Sequence, residues 1–345
     1  MRRMRRVLAF LPALLLALTI VVTARARSED TPPAPVVERK AEPAAPSAAA
    51  QRVSVGMYLK EVPQIDLKTN SYLADFYLWF RWSGAIDPTK SFEFTNGVEH
   101  WDVLAVPIYA EPETLPDGTR YQIFHIQGRF SHAFPLHDYP FDQQDIIIEI
   151  EDREHRTSEL AYVADDEATN FHEGIEIPGW QLDGVVAEVS EASYRSNFGD
   201  PRIQPGADVY SHYAFSLRIS RPVFGYLVKT VLPIAIVILI TFVAFFVPSK
   251  YFEGRLGLAI TSLVSAVALQ LTSGADLPSV GYMVLLDEIY NVSYAIILLT
   301  LVESMVAVRL FDAGQEARAQ RLDRLALAVL STMFFGGVAL IVLLR

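Results

Sequence analysis

Four apolar runs crowd the second half of the chain: Val223 to Val247, Leu256 to Ala275, Met283 to Leu310 and Leu325 to Leu344. At about 1.5 Å of rise per residue, some 20 helical residues cover the ~30 Å hydrocarbon core of a bilayer, so each run predicts a membrane-spanning helix. Pro248 and Pro278 are expected to stop the first two helices, and Pro233 to kink the first. The second run is too polar for an ordinary lipid-facing helix, because it contains Thr261, Ser262, Ser265, Gln270, Thr272 and Ser273. At about 100° per residue, Thr261, Ser265 and Thr272 share one narrow arc, which calls for water or polar partners. Gly257, Val264, Ala268 and Ala275 lie on the same face, and their small side chains would leave an axial hole if several copies ringed a common axis. Glu253 sits at the foot of this helix. The competing reading is that the hydroxyls bond backbone carbonyls where helices touch.

Loop charges set the expected topology. Lys250 and Arg255 flank the first connection, and Arg309, Arg318, Arg321 and Arg324 flank the third, whereas the second, Ser273 to Tyr282, has no basic residue. Basic loops stay on the cytoplasmic side, so everything before the first span and the C-terminus are expected outside, in the cell (inner) membrane topology of an exported chain. The N-terminus agrees: Arg2, Arg3, Arg5 and Arg6 precede an apolar run from Val7 to Val22 and small residues at Ala24 and Ala26. This pattern predicts a signal peptide over residues 1–26. Residues 27–50, rich in Pro and Ala, read as a disordered linker.

Residues 51–221 change character to short alternating segments separated by turns, which predicts an all-β sandwich. Asp75 to Trp82 is an aromatic-rich strand, Tyr121 to Phe130 follows a Pro116-Asp117-Gly118 turn, Asp145 to Ile150 is strongly β-branched, and Tyr210 to Ile219 alternates up to the first span. This region has more than twice as many Asp and Glu as Lys and Arg, a balance that repels nucleic acid and concentrates cations. With no cysteine in 345 residues, disulfides and thiol chemistry are excluded. A rival reading, a membrane-tethered metalloenzyme, would take its ligands from His125, His132, His137, His155, His172 and His212, but their spacings match no metal motif. Nor is there a nucleophile elbow, a phosphate-binding glycine loop or a zinc-protease helix. No catalytic residue, metal site or cofactor is therefore expected.

Between two strands lies His132-Ala-Phe-Pro-Leu-His-Asp-Tyr-Pro-Phe-Asp-Gln-Gln-Asp-Ile146, a compact loop with two prolines. It resembles the signature loop of the pentameric ligand-gated ion channels, the Cys-loop receptor superfamily. His132 and Ile146 stand where animal members have cysteines, as in prokaryotic members that lack the disulfide, and Tyr139-Pro140-Phe141-Asp142-Gln143-Gln144 matches the interior. Ala74 to Leu78 with Trp82, Glu149-Ile150-Glu151 opening toward Thr157, Trp180-Gln181-Leu182, and Phe215 to Arg221 resemble further family segments in the family's order. The likeness covers nearly all of residues 51–345.

The resemblance implies a multi-domain protein: an extracellular, immunoglobulin-like, all-β sandwich ligand-binding domain over residues 51–221, then an all-α four-helix transmembrane pore domain over 222–345. It implies a homo-oligomer, a pentamer, in a lipid bilayer, passing inorganic ions when a small-molecule or proton agonist binds the sandwich. By motif alignment the pore-lining positions are Gly257, Thr261, Val264, Ala268, Leu271, Thr272 and Ala275. The hydroxyls would replace part of an ion's hydration shell, while Val264, Ala268 and Leu271 would form an apolar constriction that gates by dewetting. A ring of Glu253 carboxylates favours cations. Arg255 beside it keeps an anion-selective channel open as an alternative, as is a membrane-anchored sensor that conducts nothing. Asp142 and Arg221 match a pair that couples the outer domain to the pore, with Tyr139, Pro140 and Phe141 packing near Pro278. Ligand-binding candidates are Phe80, Glu151, Arg153, His155, Tyr194, Phe198 and Tyr210. Because Arg153, Glu154 and His155 stand where amine-binding relatives carry aromatics, a cage for a quaternary ammonium is weakly supported.

Overall fold

The structure, a computed structural model, describes residues 50–98, 103–197, 199, 201, 206, 208–275 and 277–343. The expected signal peptide, the expected linker apart from Ala50, the ligand candidate Phe198 and the last residue of the fourth expected span, Leu344, lie outside the described residues. Two compact units divide the chain: residues 50–134 with 143–220, and residues 135–142 with 221–343. The interior of the signature loop thus clusters with the helices, as does Arg221.

The first unit is a β-sandwich. One sheet runs in the order β4 (Leu104–Pro107), β6 (Arg120–Ser131), β2 (Ser71–Trp82), β1 (Gln51–Asp66), β8 (Leu160–Ala164), with β5 (Glu113–Thr114) added to β6 and β9 (Asn170–Phe171) to β1. The other runs β10 (Gln181–Ser193), β11 (Val209–Ser220), β7 (Gln143–Asp152), β3 (Phe92–Phe94). Pairing is antiparallel except where β8 and β9 join β1.

Period-two alternation explains the assembly. Ile146, Ile148 and Ile150 of β7, Tyr213, Phe215, Leu217 and Ile219 of β11, and Tyr72, Phe76, Leu78, Phe80 and Trp82 of β2 all point into one core. Each such side chain contributes about 1.5–3 kcal/mol on full burial. The Pro116-Asp117-Gly118 turn forms as its residues dictate: Gly118 has φ +83°, and the Asp117 carboxylate accepts the Thr119 N–H at 2.9 Å.

The second unit carries four helices long and apolar enough to cross a membrane: Val223–Phe246, Phe252–Ser273, Leu285–Asp312 and Glu316–Leu343. The second packs on the first and third, and the third on the fourth. Pro233 has no N–H to offer the carbonyl one turn back, and the chain accommodates this with a π-helical turn at Leu227–Val231, where the Leu232 N–H reaches Leu227 O. Val247-Pro248 ends the first helix. The second ends at Ser273, five residues before Pro278, with the Gly274 N–H capping Gln270 O, so Pro278 is not its stop signal. The fourth begins nine residues before its apolar run, because Glu316 to Arg324 are strong helix formers that hydropathy does not register. Gly314, at φ +73°, makes the break from the third helix.

Candidate functional site

All seven positions expected to line a pore, Gly257, Thr261, Val264, Ala268, Leu271, Thr272 and Ala275, are exposed along one side of the second helix or just past its end. Val264 is 62% exposed and Leu271 73%. Arg255, Ala259, Ser262 and Ala266 form the buried side, toward the neighbouring helices. The polar residues therefore sort into two sets. Ser262 is buried, Ser265 is only partly exposed, and Gln270 bonds the third helix, donating to Asp287 Oδ1 at 3.1 Å and accepting from the Tyr294 hydroxyl at 2.6 Å. Thr261 and Thr272 remain on the open side, and the Thr272 hydroxyl donates to Ala268 O at 2.9 Å.

The foot of the helix separates two charges that are neighbours in sequence. Glu253 is exposed, whereas Arg255 is fully buried on the other face. Its guanidinium forms a fork with Asp323 of the fourth helix at 2.7 and 2.9 Å, and donates to Val247 O at 2.6 and 2.9 Å. Glu303 of the third helix lies 3.8 Å away.

Within the same unit the signature loop is tied to the helices. Arg221 Nε donates to Asp142 Oδ1 at 2.7 Å, with both side chains buried. The guanidinium also stacks between the Tyr139 and Tyr226 rings, 5.0 and 4.9 Å from their centroids, and donates to the Tyr226 hydroxyl at 2.8 Å. The Leu285 N–H donates to His137 O and the Leu286 N–H to Tyr139 O, using free donors at the N-terminus of the third helix. Tyr282 stacks on His137 at 3.9 Å, and its hydroxyl accepts the Leu136 N–H. Tyr139 and Pro140 are buried and Phe141 half-buried, and a cis peptide joins Tyr139 to Pro140. Pro278 lines a small cavity of about 200 Å³ with Tyr282, Asp287 and Tyr290.

On the outward face of the four-stranded sheet, Glu151 is buried, accepting from the Tyr194 hydroxyl at 2.6 Å and pairing with His212 Nδ1 at 2.9 Å. Burial pushes the Glu151 carboxyl up, but the hydrogen bonds from His212 and Tyr194 and the His212 charge outweigh it and hold Glu151 below its ordinary value. The Tyr194 hydroxyl is pushed up by burial and by its bond to Glu151. Tyr210 meets Tyr194 edge to face at 6.1 Å. Glu93 stands directly opposite Glu151 on β3.

The other ligand candidates are placed elsewhere. Phe80 is fully buried among Phe92, Phe124 and Tyr162, a core residue rather than a surface contact, because its strand parity matches Leu78 and Trp82. His155 closes a turn on Asp152 at 2.9 Å, and exposed Arg153 donates to Lys90 O. Two residues outside the ligand and coupling candidates are central: His212, read in sequence only as a possible metal ligand, two residues after Tyr210 and so on the same strand face, and Tyr226, five residues past Arg221. The first signal was readable by period-two counting. The second had none, because Tyr226 reads as part of an apolar span.

No protein-family model matches the chain. A proton-gated ion channel of Gloeobacter violaceus is 24% identical over 314 residues, covering 82% of this chain and 83% of that protein. A gamma-aminobutyric acid receptor subunit beta-like protein of Drosophila melanogaster is 22% identical over 168 residues, 49% of this chain and 32% of its own length. Gamma-aminobutyric acid receptor subunit beta-4 of Gallus gallus is 20% identical over 216 residues, 62% of this chain and 42% of its own length. The matched part thus spans less than half of either receptor subunit.

Proposed function

We propose that this chain, which belongs to the Cys-loop superfamily of pentameric ligand-gated ion channels, forms a homopentamer whose five second helices line a cation-conducting pore. The observation that carries this reading is the open side of the second helix. A helix of membrane length that leaves Gly257, Thr261, Val264, Ala268, Leu271 and Thr272 uncovered needs further copies or water against that side. Ringed about an axis, Leu271 and Val264 make apolar constrictions, and Thr261 below them and Thr272 above them supply oxygen to an ion. Arg255, which in sequence argued for anions, is turned away from this side and neutralised, and Glu253 is left as the charge at the mouth.

The basic residues of the first and third connections favour an orientation with Glu253 at the cytoplasmic mouth of the cell membrane and the sandwich outside. Domain bounds follow the same reading, with a cleaved signal peptide near residue 26, a linker to residue 50, and Asp142, Arg221 and Tyr139 to Phe141 as the coupling between sandwich and pore. The agonist is read as protons or a small molecule at the outward face around Glu151, Tyr194 and Tyr210. Its Glu151 carboxylate favours protons, since protonating it would remove the charge that Tyr194 and His212 are bonded to. The Gloeobacter relative is proton-gated.

The test is current through purified full-length protein in planar bilayers, in asymmetric NaCl, across pH and a panel of small molecules. A reversal potential that follows sodium supports the reading, and one that follows chloride overturns cation selectivity. A flat response between pH 8 and pH 4 removes protons as the agonist, and no conductance under any condition favours a sensor.

A further inference from the structure

The geometry points to Asp323 and Glu303 as determinants of charge selectivity: they hold the Arg255 guanidinium off the open side of the second helix, so that it does not offset Glu253 at the mouth. This rests on the proposed pore along that helix. Two positions apart, Glu253 and Arg255 are about 200° apart around the helix, and only Glu253 is exposed. A buried guanidinium is costly to keep out of water unless its donors are satisfied and its charge is met. Here the planar fork of Arg255 matches the Asp323 carboxylate, and two further donors go to Val247 O, a carbonyl freed by the end of the first helix. Glu303 adds a second acidic side chain, 3.8 Å from the guanidinium. Four helices thus converge on one side chain, and none of the groups holding it belongs to the lumen face.

The consequence is electrostatic. With Asp323 in place, each subunit offers the mouth one exposed carboxylate. Without it, the guanidinium loses its fork, and its long side chain is released to swing toward the mouth beside Glu253. Repeated in every subunit, the released cation offsets the carboxylate ring and admits anions. Arg255 therefore acts on selectivity only when its acidic partners are removed, and Asp323 and Glu303 are positioning residues.

The test reads PNa/PCl from reversal potentials of full-length channels in planar bilayers. Glu253→Gln lowers the ratio if the pore reading holds; an unchanged ratio there refutes that reading, and the inference with it. Asp323→Asn is expected to lower the ratio by about threefold or more, and Glu303→Gln by less, because focused charge at a narrow mouth acts strongly on local ion concentration. The neutral triple R255Q/E303Q/D323N is expected to restore the wild-type ratio, since the released charge is gone. If Glu253→Gln lowers the ratio while Asp323→Asn leaves it unchanged, the sequestration is refuted. Should Asp323→Asn fail to assemble, the triple decides: a ratio well above wild type would mean that Arg255 already acts on the lumen and would overturn the inference, while a wild-type ratio supports it.

Discussion

Replacing Asp142 by Asn tests whether the signature loop is held by charge. The Asp142 side chain is 2% exposed and that of Arg221 6%, at 2.7 Å, so neither partner can turn to water without moving backbone. Breaking a buried pair by removing one charge costs about 3–5 kcal/mol, because the other is left uncompensated. Asn keeps an oxygen where Oδ1 stood, and a neutral hydrogen bond returns about 1 kcal/mol, leaving a net loss of about 2–4 kcal/mol. At roughly 2–4 °C per kcal/mol, the thermal midpoint falls by something on the order of 10 °C. Arg221→Gln should cost a similar amount by removing the positive charge that faces the buried Asp142 carboxylate. The double variant removes both charges, so its loss should fall about 2 kcal/mol short of the summed single losses. The assay is thermal unfolding of the detergent-purified channel, with agonist response in bilayers alongside. Additive losses in the double-mutant cycle would refute the pairing argument, as would a single-variant loss below about 0.5 kcal/mol, the scale of an exposed pair.

Four further outcomes follow from the same geometry. Tyr226→Phe deletes the hydroxyl that accepts from Arg221 at 2.8 Å but keeps the ring, so stability should fall by about 1.5–3 kcal/mol while the Asp142 pair persists; a neutral variant would mean the contact is idle. Gly56→Ala places a Cβ 2.3 Å from the Trp79 ring, and overpacking of this kind costs about 1–3 kcal/mol, read as a lowered unfolding midpoint of the sandwich. Leu271→Ser should wet the most exposed apolar ring and raise current without agonist, and a leak equal to wild type would count against a gate at this position. Glu151 has its folded pKa below the ordinary 4.5, so its contribution is complete above that value and is lost as pH falls through the lowered one; the midpoint gap between wild type and Glu151→Gln should be widest near neutrality and close on acidification.

Much of the architecture was legible because it rests on periodicity. Alternation located the strands of the sandwich, and apolar length located four long helices to within a few residues, except at the fourth, where Arg318, Arg321 and Arg324 continue a helix that hydropathy treats as loop. The site was less legible, because facing depends on partners. Phe80 and Tyr210 look alike as strand aromatics, yet one is in the core and the other beside Tyr194. Arg255 and Glu253 look alike as charges flanking a span, and only the packing of the third and fourth helices separates them. The pairing of Arg255 with Asp323 joins residues 68 positions apart on different helices, which no local pattern encodes.

The same sorting bears on what the open side of the second helix offers an ion. A hydroxyl is both donor and acceptor, so its presence alone is neutral between cations and anions. In Thr272 the hydrogen is committed to Ala268 O at 2.9 Å, so the oxygen lone pairs are the part left for anything beside the helix. Lone pairs replace water around a cation and repel an anion. Glu253, with its carboxylate exposed at the N-terminal end of the same helix, acts in the same direction, and Arg255 two residues on is turned inward and paired. Three features that residue counting would list as mixed, a hydroxyl, an acid and a base, all weigh toward the proposed cation selectivity once the direction of each side chain is taken into account.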